Sequence, residues 1–351
     1  MKHVTAVAVS GGIDSLVAAS LVKEMGDDVI GIHFKTGFET FDPNSESSEN
    51  NVSNIARHIS SQLDIPVKIM DLSGPFRTKV VDYFIKSYMA GVTPNPCLVC
   101  NPAIKFGALL ESAKEQGASR FSTGHYAGTE TDNTGTIRLK KGKDQEKDQS
   151  YFLAFLTRRH LSFTYFPLWN LTKNEVRSIA KEKGLAPVSN KESQDVCFIR
   201  HMSYAGFLER QGISTRPGLI IDTEGNILGQ HNGLHFFTVG QRRGINCPAK
   251  EPYYVLRINT EDNSLTVGFK NELYRKECRV KDINWICDKP SSPLKMLTRI
   301  RYSHKGVLAQ VIPTKNQSAI VIFDSEQPAV TPGQGAVFYK GDEVAGGGWI
   351  V

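Results

Sequence analysis

The chain of 351 residues has no run of about 18 apolar residues, which excludes a helix long enough to cross a membrane. Cysteine is scarce, six residues in all, so a disulfide scaffold is excluded and each thiol has to be read by its spacing. Two common nucleotide signatures are missing: the Gly-x-x-x-x-Gly-Lys-Ser/Thr spacing of a Walker loop and the Gly-x-Gly-x-x-Gly of a dinucleotide fold. A strong charge of either sign is also absent. The formal net charge is +6, from 42 basic and 36 acidic residues. That balance permits a polyanionic partner without requiring one. The start, Met1 to Thr5, leads directly into a strand-like run and lacks the apolar core and cleavage site of a leader, so the cytoplasm is the expected compartment.

What is present is an alternation of strand and helix patterns followed by β patterning. Residues 4–9 form a short apolar run rich in β-branched side chains, the signature of a buried parallel strand. Helical spacing follows through Leu16, Ala19, Leu21, Val22 and Met25, and a second strand pattern runs from Val29 to Phe34. Further helical patterns at 52–63 and 105–116 predict a doubly wound α/β domain. Residues 38–54 and the charged run Lys140 to Lys147 read as loops, and Thr172 to Glu175 as a capping box that opens a helix. From Pro217 onward, short β runs are punctuated by turns, among them Tyr253 to Ile258, Ser264 to Val267, Leu297 to Tyr302, Val307 to Ile312, Ala319 to Phe323 and Ala336 to Tyr339. The expected organisation is an α/β domain over 1–206, a small central β domain over 207–275 and a C-terminal β-barrel over 276–351.

Between the first strand and the first helix lies Ser10-Gly11-Gly12-Ile13-Asp14-Ser15. Glycines admit a phosphate close to the backbone, and a helix N-terminus offers free N–H donors and a positive dipole end. A Ser/Gly turn that merely caps a helix is the plain alternative. The complete hexapeptide resembles the loop of the ATP-pyrophosphatase superfamily, which implies cleavage of ATP to AMP and pyrophosphate and an adenylylated substrate.

Three cysteines stand out: Cys97 and Cys100 in Thr93-Pro94-Asn95-Pro96-Cys97-Leu98-Val99-Cys100-Asn101, and Cys197 in Asp195-Val196-Cys197-Phe198. The two prolines predict an extended, rigid loop presenting the thiols. With Ile104-Lys105-Phe106-Gly107, Thr123-Gly124-His125-Tyr126-Ala127, Lys147-Asp148-Gln149-Ser150-Tyr151-Phe152-Leu153, His231-Asn232-Gly233, Phe237-Thr238-Val239-Gly240-Gln241-Arg242, Arg301-Tyr302 and Pro332-Gly333-Gln334, the chain resembles the bacterial tRNA-specific 2-thiouridylases along nearly its whole length.

That resemblance implies ATP-dependent 2-thiolation of a wobble uridine in tRNAs for Lys, Glu and Gln. Cys100 would be the nucleophile and Cys197 the persulfide carrier. ATP would lie on Ala8, Val9, Ser10, Gly11, Gly12, Ile13, Asp14 and Ser15, with Phe34 and Gly124 beside it and magnesium on the phosphates, Asp14 being a candidate ligand. tRNA contacts would come from His125, Lys147, Asp148, Gln149, Arg301, Tyr302 and Gln334. A sulfur donor is implied: a persulfide relay protein, a cysteine desulfurase, or sulfide.

Cys97 departs from the family, many members of which have Asp there. Three thiolates at Cys97, Cys100 and Cys197 suit a [4Fe–4S] cluster with one open iron, three zinc ligands, or a reversible Cys100–Cys197 disulfide with Cys97 incidental. A thiolate nucleophile predicts lowered pKa values at Cys100 and Cys197. Taken singly, His125 reads as a packed histidine, Lys147 and Asp148 as a solvated ion pair, and Arg301-Tyr302 as ordinary surface. Cys247, Cys278 and Cys287 read as structural, and Trp169, Trp285 and Trp349 as packing residues. Two other functions fit parts of the pattern: a small-molecule ligase, which needs no thiols, and a non-catalytic tRNA-binding protein, which needs no nucleotide loop.

Overall fold

The computed structural model describes residues 3–39, 48–188, 196–199 and 202–351. The N-terminal domain is built on a parallel sheet in the order Val67–Asp71, Asp28–Lys35, Val4–Ala8, Arg120–Thr123 and Thr164–Tyr165. Val4–Ala8 lies at its centre, pairing with Asp28–Lys35 on one side and Arg120–Thr123 on the other. Both faces of that strand are covered. Ala6 packs with Ile32 and Phe121 in one core, while Val7 packs with Leu16, Val22 and Ile59 in another. Two-sided burial is why the strand reads as a continuous apolar run. The chain leaves the first strand toward one side of the sheet and later returns to the other. The crevice between the carboxyl ends of Val4–Ala8 and Arg120–Thr123 is therefore the topological switch point, where open α/β sheets bind ligands.

The helix Ser48–Leu63 begins inside the stretch expected to be a loop; residues 40–47 of that stretch lie outside the described residues. The Thr172 capping box is formed as expected and opens the helix Lys173–Glu182. Residues 142–149 form a loop after the strand Ile137–Lys141.

The central module has a four-stranded sheet in the order Tyr254–Asn259, Ser264–Gly268, Gly218–Ile221, Ile227–His231, around a core of Ile220, Phe237, Ile245, Val255, Leu265 and Val267. The C-terminal strands Tyr274–Trp285, Ala319–Pro328, Val307–Pro313, Leu294–Arg299, Gly335–Lys340 and Glu343–Ile350 pair in that order, and the last pairs back with the first. This is a closed six-stranded barrel, an arrangement that removes sheet edges.

The barrel is not a separate bead. A hairpin of the N-terminal domain, Ala127–Thr131 with Ile137–Lys141, extends its sheet by pairing Lys140 with Glu343. Val337, Tyr339 and Val344 of the barrel also belong to the same apolar cluster as Phe106 and Phe121. Trp285 stacks on Phe338 and Trp349 on Phe155, and Trp169 donates its indole N–H to the Lys141 carbonyl at 3.0 Å, so all three tryptophans serve packing. Cys278 is buried in the barrel core, and burial pushes its thiol up to about 12.

Candidate active site

The hexapeptide lies at the switch point. Gly12 precedes the helix Ile13–Glu24 in extended conformation, and no side chain caps that helix, which leaves its N-terminus open to an anion. Ser15 organises the loop, accepting from the Ser10 backbone N–H at 3.2 Å and donating to the Gly12 carbonyl at 2.8 Å. Gly124, just past the strand Arg120–Thr123, is pressed against the same turn: a Cβ there would stand 2.9 Å from the Asp14 carbonyl carbon and the Ser15 nitrogen. Any side chain at 124 would push the helix start out of place. Phe34 is the last residue but one of the neighbouring strand Asp28–Lys35, partly buried against the core.

Asp14 is already engaged. Lys173 Nζ reaches both carboxylate oxygens, at 2.7 and 2.8 Å, and Tyr126 donates its hydroxyl to Oδ1 at 2.7 Å. An ammonium thus stands where a magnesium ion on Asp14 would have to be, and the residue as placed does not fit a metal ligand.

The thiols sit on a helix rather than on the extended loop expected from the prolines. Pro96 occupies the first turn of the helix Pro96–Cys100, where its missing N–H costs nothing, and Asn95 caps it by accepting from Leu98 N–H. Helical geometry places Cys97 and Cys100, three residues apart, on one face. Burial pushes Cys97 up to about 11 and Cys100 up to about 12, with neighbouring Lys105 acting in the opposite direction and the nearby Cys197 adding to the rise. The expected lowering at Cys100 is therefore reversed, because desolvation of a thiolate outweighs one ammonium. Cys197 is exposed, while Cys97 and Cys100 are part-buried; residues 191–195 of the Cys197 segment lie outside the described residues. No disulfide joins any of the six cysteines, and among the described residues no three His, Cys, Asp or Glu side chains are grouped to hold a metal.

A short relay of contacts runs from Lys105, whose charge acts on both helix thiols, toward the nucleotide loop. Lys105 Nζ lies 3.4 Å from His125 Nε2, and His125 Nδ1 lies 2.8 Å from the Thr123 hydroxyl. His125 is buried, and burial together with the Lys105 charge holds its pKa well below the usual histidine value, so the ring is neutral. Its chain neighbour is Gly124, which packs on Asp14 and Ser15.

The barrel grips the cysteine segment from the other side. Gln334 donates its side-chain N–H groups to the carbonyls of Thr93 at 3.2 Å and Pro94 at 3.3 Å, and Thr93 N–H donates to Pro332 at 3.0 Å. Gly333 takes φ +88°, and a Cβ there would strike Val92 Cγ1 at 2.2 Å and the Thr93 carbonyl at 2.6 Å. Asp148, expected as a solvated partner of Lys147, is instead buried, accepting from Gly142 N–H, Ser150 N–H and the Ser150 hydroxyl and pairing with Arg299 at 3.0 Å. Gln149 accepts from Tyr126 N–H through its side chain at 3.1 Å and donates its own N–H back to the Tyr126 carbonyl at 2.9 Å. The strand expected to reach Tyr302 stops at Arg299, so Arg301 and Tyr302 lie in the following turn. Tyr302 stacks on Phe152 with centroids 4.4 Å apart, and Arg301 donates to the Pro328 carbonyl at 3.4 Å.

Family models match three consecutive segments: a tRNA methyl transferase HUP domain over residues 2–201, a tRNA methyl transferase PRC-barrel domain over 205–269 and an aminomethyltransferase β-barrel domain over 275–350. The tRNA-specific 2-thiouridylase MnmA of Desulfosudis oleivorans is 49% identical over 98% of this chain and 94% of its own length. That of Geotalea uraniireducens is 41% identical over 98% and 94%. The chain belongs to the tRNA-specific 2-thiouridylase family. Among solved structures, the U34-tRNA thiolase NcsA from Methanococcus maripaludis with its [4Fe-4S] cluster covers 60% of this chain and 65% of its own at 21% identity. Its TM-score of 0.36 is too low to bear on fold or chemistry.

Of the positions the 2-thiouridylase family implies, the structure gathers the loop 10–15, Gly124, His125 and the two helix cysteines into one connected region. It sets Asp148 inside the protein as a support. Lys173 and Arg299 escaped the sequence reading as site residues, and Lys105 entered it only within Ile104-Lys105-Phe106-Gly107, without a role. Each is one lysine or arginine among 42 basic residues, and only burial or proximity distinguishes it. The thiol environments give a direct test of the site. Iodoacetamide at pH 8 is expected to alkylate exposed Cys197 well before Cys97 or Cys100, whose thiols burial pushes up, with labelling of both helix thiols rising as the pH is raised to about 10. Peptide mass spectrometry across a pH series reads the order; early labelling of Cys100 would contradict its burial.

Proposed function

We propose that the protein uses ATP to replace the 2-oxygen of a tRNA wobble uridine with sulfur, and that it does so by a persulfide route. The observation that carries this is that Lys105, whose charge acts on Cys100, reaches His125, the chain neighbour of the Gly124 that packs on Asp14 and Ser15. It supports a sulfur nucleophile serving a substrate activated at that loop. The family-model descriptions speak of methyl transfer, whereas the full-length relatives are named for 2-thiolation. Paired thiols beside a pyrophosphate-type loop support the second. A small-molecule ligase would leave the thiols without work, and a pure binding protein would leave the loop without work.

In this reading the uridine O2 attacks the α-phosphorus of ATP and pyrophosphate departs, which makes C2–O a good leaving bond. Cys197, accessible to a donor, receives a sulfane sulfur from a persulfide relay protein or a cysteine desulfurase. The terminal sulfur attacks C2 and AMP leaves. Cys100, as thiolate, then attacks the Cys197 sulfur, releasing 2-thiouridine and forming a Cys100–Cys197 disulfide that an external thiol reduces. Lys105 lies where it favours the Cys100 thiolate, and its proximity offsets part of the burial penalty. The flipped base reaches the site at low cost because anticodon-loop bases are already splayed. Substrate tRNAs for Lys, Glu and Gln, and a cytoplasmic location, follow the family resemblance.

The test is a thiolation assay with ATP, unmodified tRNA and a persulfide donor, with separation of nucleotides and of digested nucleosides. AMP, pyrophosphate and 2-thiouridine in equal amounts are expected. ADP as the nucleotide product would overturn the reading. Anaerobic protein that thiolates from sulfide only when iron is bound, and loses both in Cys97→Ala, would replace the persulfide route by a cluster. For the RNA surface, Lys147→Ala and Arg301→Ala should each weaken tRNA binding and reduce the slope of log K against log salt by about 0.7–0.9. Unchanged affinity and slope in both would move the RNA elsewhere.

A further inference from the structure

Asp14 carries the wrong sign for the place it occupies. It is the second residue of the helix Ile13–Glu24, whose uncapped N-terminus is the anion site of the nucleotide loop. A carboxylate at that point is compatible with the helix dipole but opposes a polyphosphate arriving at the same N–H groups. Something must offset it, and the structure shows what does. Lys173 Nζ lies 2.7 Å from Oδ1 and 2.8 Å from Oδ2, with a side chain only 8% exposed, while Tyr126 adds a hydroxyl on Oδ1.

The lysine is itself held on three sides. It is the first residue of the helix Lys173–Glu182, opened by the Thr172–Glu175 capping box. Its backbone N–H donates to Asp144 Oδ2 at 2.8 Å, which ties it to the loop that also carries Lys147, Asp148 and Gln149. Its ammonium faces the Tyr126 ring at 6.0 Å, the same tyrosine whose backbone is bracketed by Gln149. A long, flexible side chain is thus held with its ammonium against the Asp14 carboxylate.

We infer that Lys173 is a positioning residue of the nucleotide loop: the built-in counter-cation that neutralises Asp14 and holds the helix start ready for the polyphosphate of ATP. The inference rests on the reading of residues 10–15 as the ATP site. It also accounts for the misfit of magnesium at Asp14, since the cation of that carboxylate is supplied by the chain.

The test is a charge-compensation cycle read by equilibrium binding of α,β-methylene-ATP in magnesium buffer, for the full-length wild type, Lys173→Met, Lys173→Arg, Asp14→Asn and the Asp14→Asn/Lys173→Met double variant. Lys173→Met should weaken binding by about tenfold or more, because it leaves a part-buried carboxylate uncompensated beside the phosphates. Lys173→Arg should keep most of the affinity, and the double variant should recover to within a few-fold of wild type, since balance returns with both charges gone. A purely structural ion pair predicts the opposite: the double variant, having lost the same contact, binds as poorly as Lys173→Met. That result, or a Lys173→Met protein that binds like wild type, overturns the inference, and a metal-ligating Asp14 would also give no recovery. Failure of the wild type to bind the analogue would overturn the ATP-site reading together with this one, whereas wild-type binding without recovery overturns this one alone.

Discussion

Replacing Arg299 with methionine is expected to lower the stability of the protein by about 3–5 kcal/mol, read as a fall in the urea midpoint followed through the barrel residue Trp285. The reason is what the guanidinium leaves behind. Arg299 is 14% exposed and its partner Asp148 only 2% at the side chain, with Nη1 and Oδ2 3.0 Å apart. Its Nε donates to the His304 carbonyl at 3.0 Å and its Nη2 to the Tyr302 carbonyl. Its planar face lies 5.6, 5.7 and 5.9 Å from the rings of Tyr151, Tyr302 and Tyr339. Methionine fills part of the volume but strands a buried carboxylate and two carbonyls. Lysine should rescue little, because a point charge cannot span three acceptors and lie flat among the rings. Adding Asp148→Leu to Arg299→Met should recover part of the loss, since removing both members of a buried pair costs far less than removing one. A midpoint shift worth less than about 1 kcal/mol would mean that water reaches Asp148 and that the barrel seat does not depend on this pair.

The second large effect is chemical. Cys100→Ser and Cys197→Ser should each depress 2-thiouridine formation by at least about a thousandfold, and the double variant should be little worse than either single one, because in the proposed persulfide route the two thiols act in one sequence of steps. Pyrophosphate release in the presence of tRNA should continue in both, since in that route adenylylation precedes sulfur transfer. Single-turnover quenching with labelled ATP separates the two halves. Retained thiolation in Cys197→Ser would remove that residue from the sulfur path. Loss of pyrophosphate release in Cys100→Ser would place Cys100 in the adenylylation step.

The placement of the 10–15 loop could be read from residue order. It follows its strand and precedes its helix within about 20 residues, as expected, because that arrangement rests on short-range pattern. The same holds for the Thr172 capping box, whose partners are three residues apart. The thiol half was half legible. Spacing placed Cys97 and Cys100 together, but the prolines were read as rigid loop when Pro96 in fact begins a helix, and the expected lowering at Cys100 became a rise to about 12. Ionisation depends on how much protein surrounds a sulfur, and residue order carries no depth.

The residues that turned out to organise the centre are paired across long stretches of chain. Asp14 meets Lys173 across 159 positions, Asp148 meets Arg299 across 151, and Gln334 reaches Thr93 across 241. Asp14, Asp148 and Gln334 were singled out by their motifs, but their pairings were not, since a pairing across the chain shows only once it has folded. Order along the chain therefore specified the family, the fold class and the local motifs, since these rest on periodicity and on neighbours a few residues apart. Which charges are buried, which carboxylate is neutralised and which loop the barrel holds were settled by folding, because electrostatic strength and hydrogen-bond partnership are set by distance and dielectric in three dimensions.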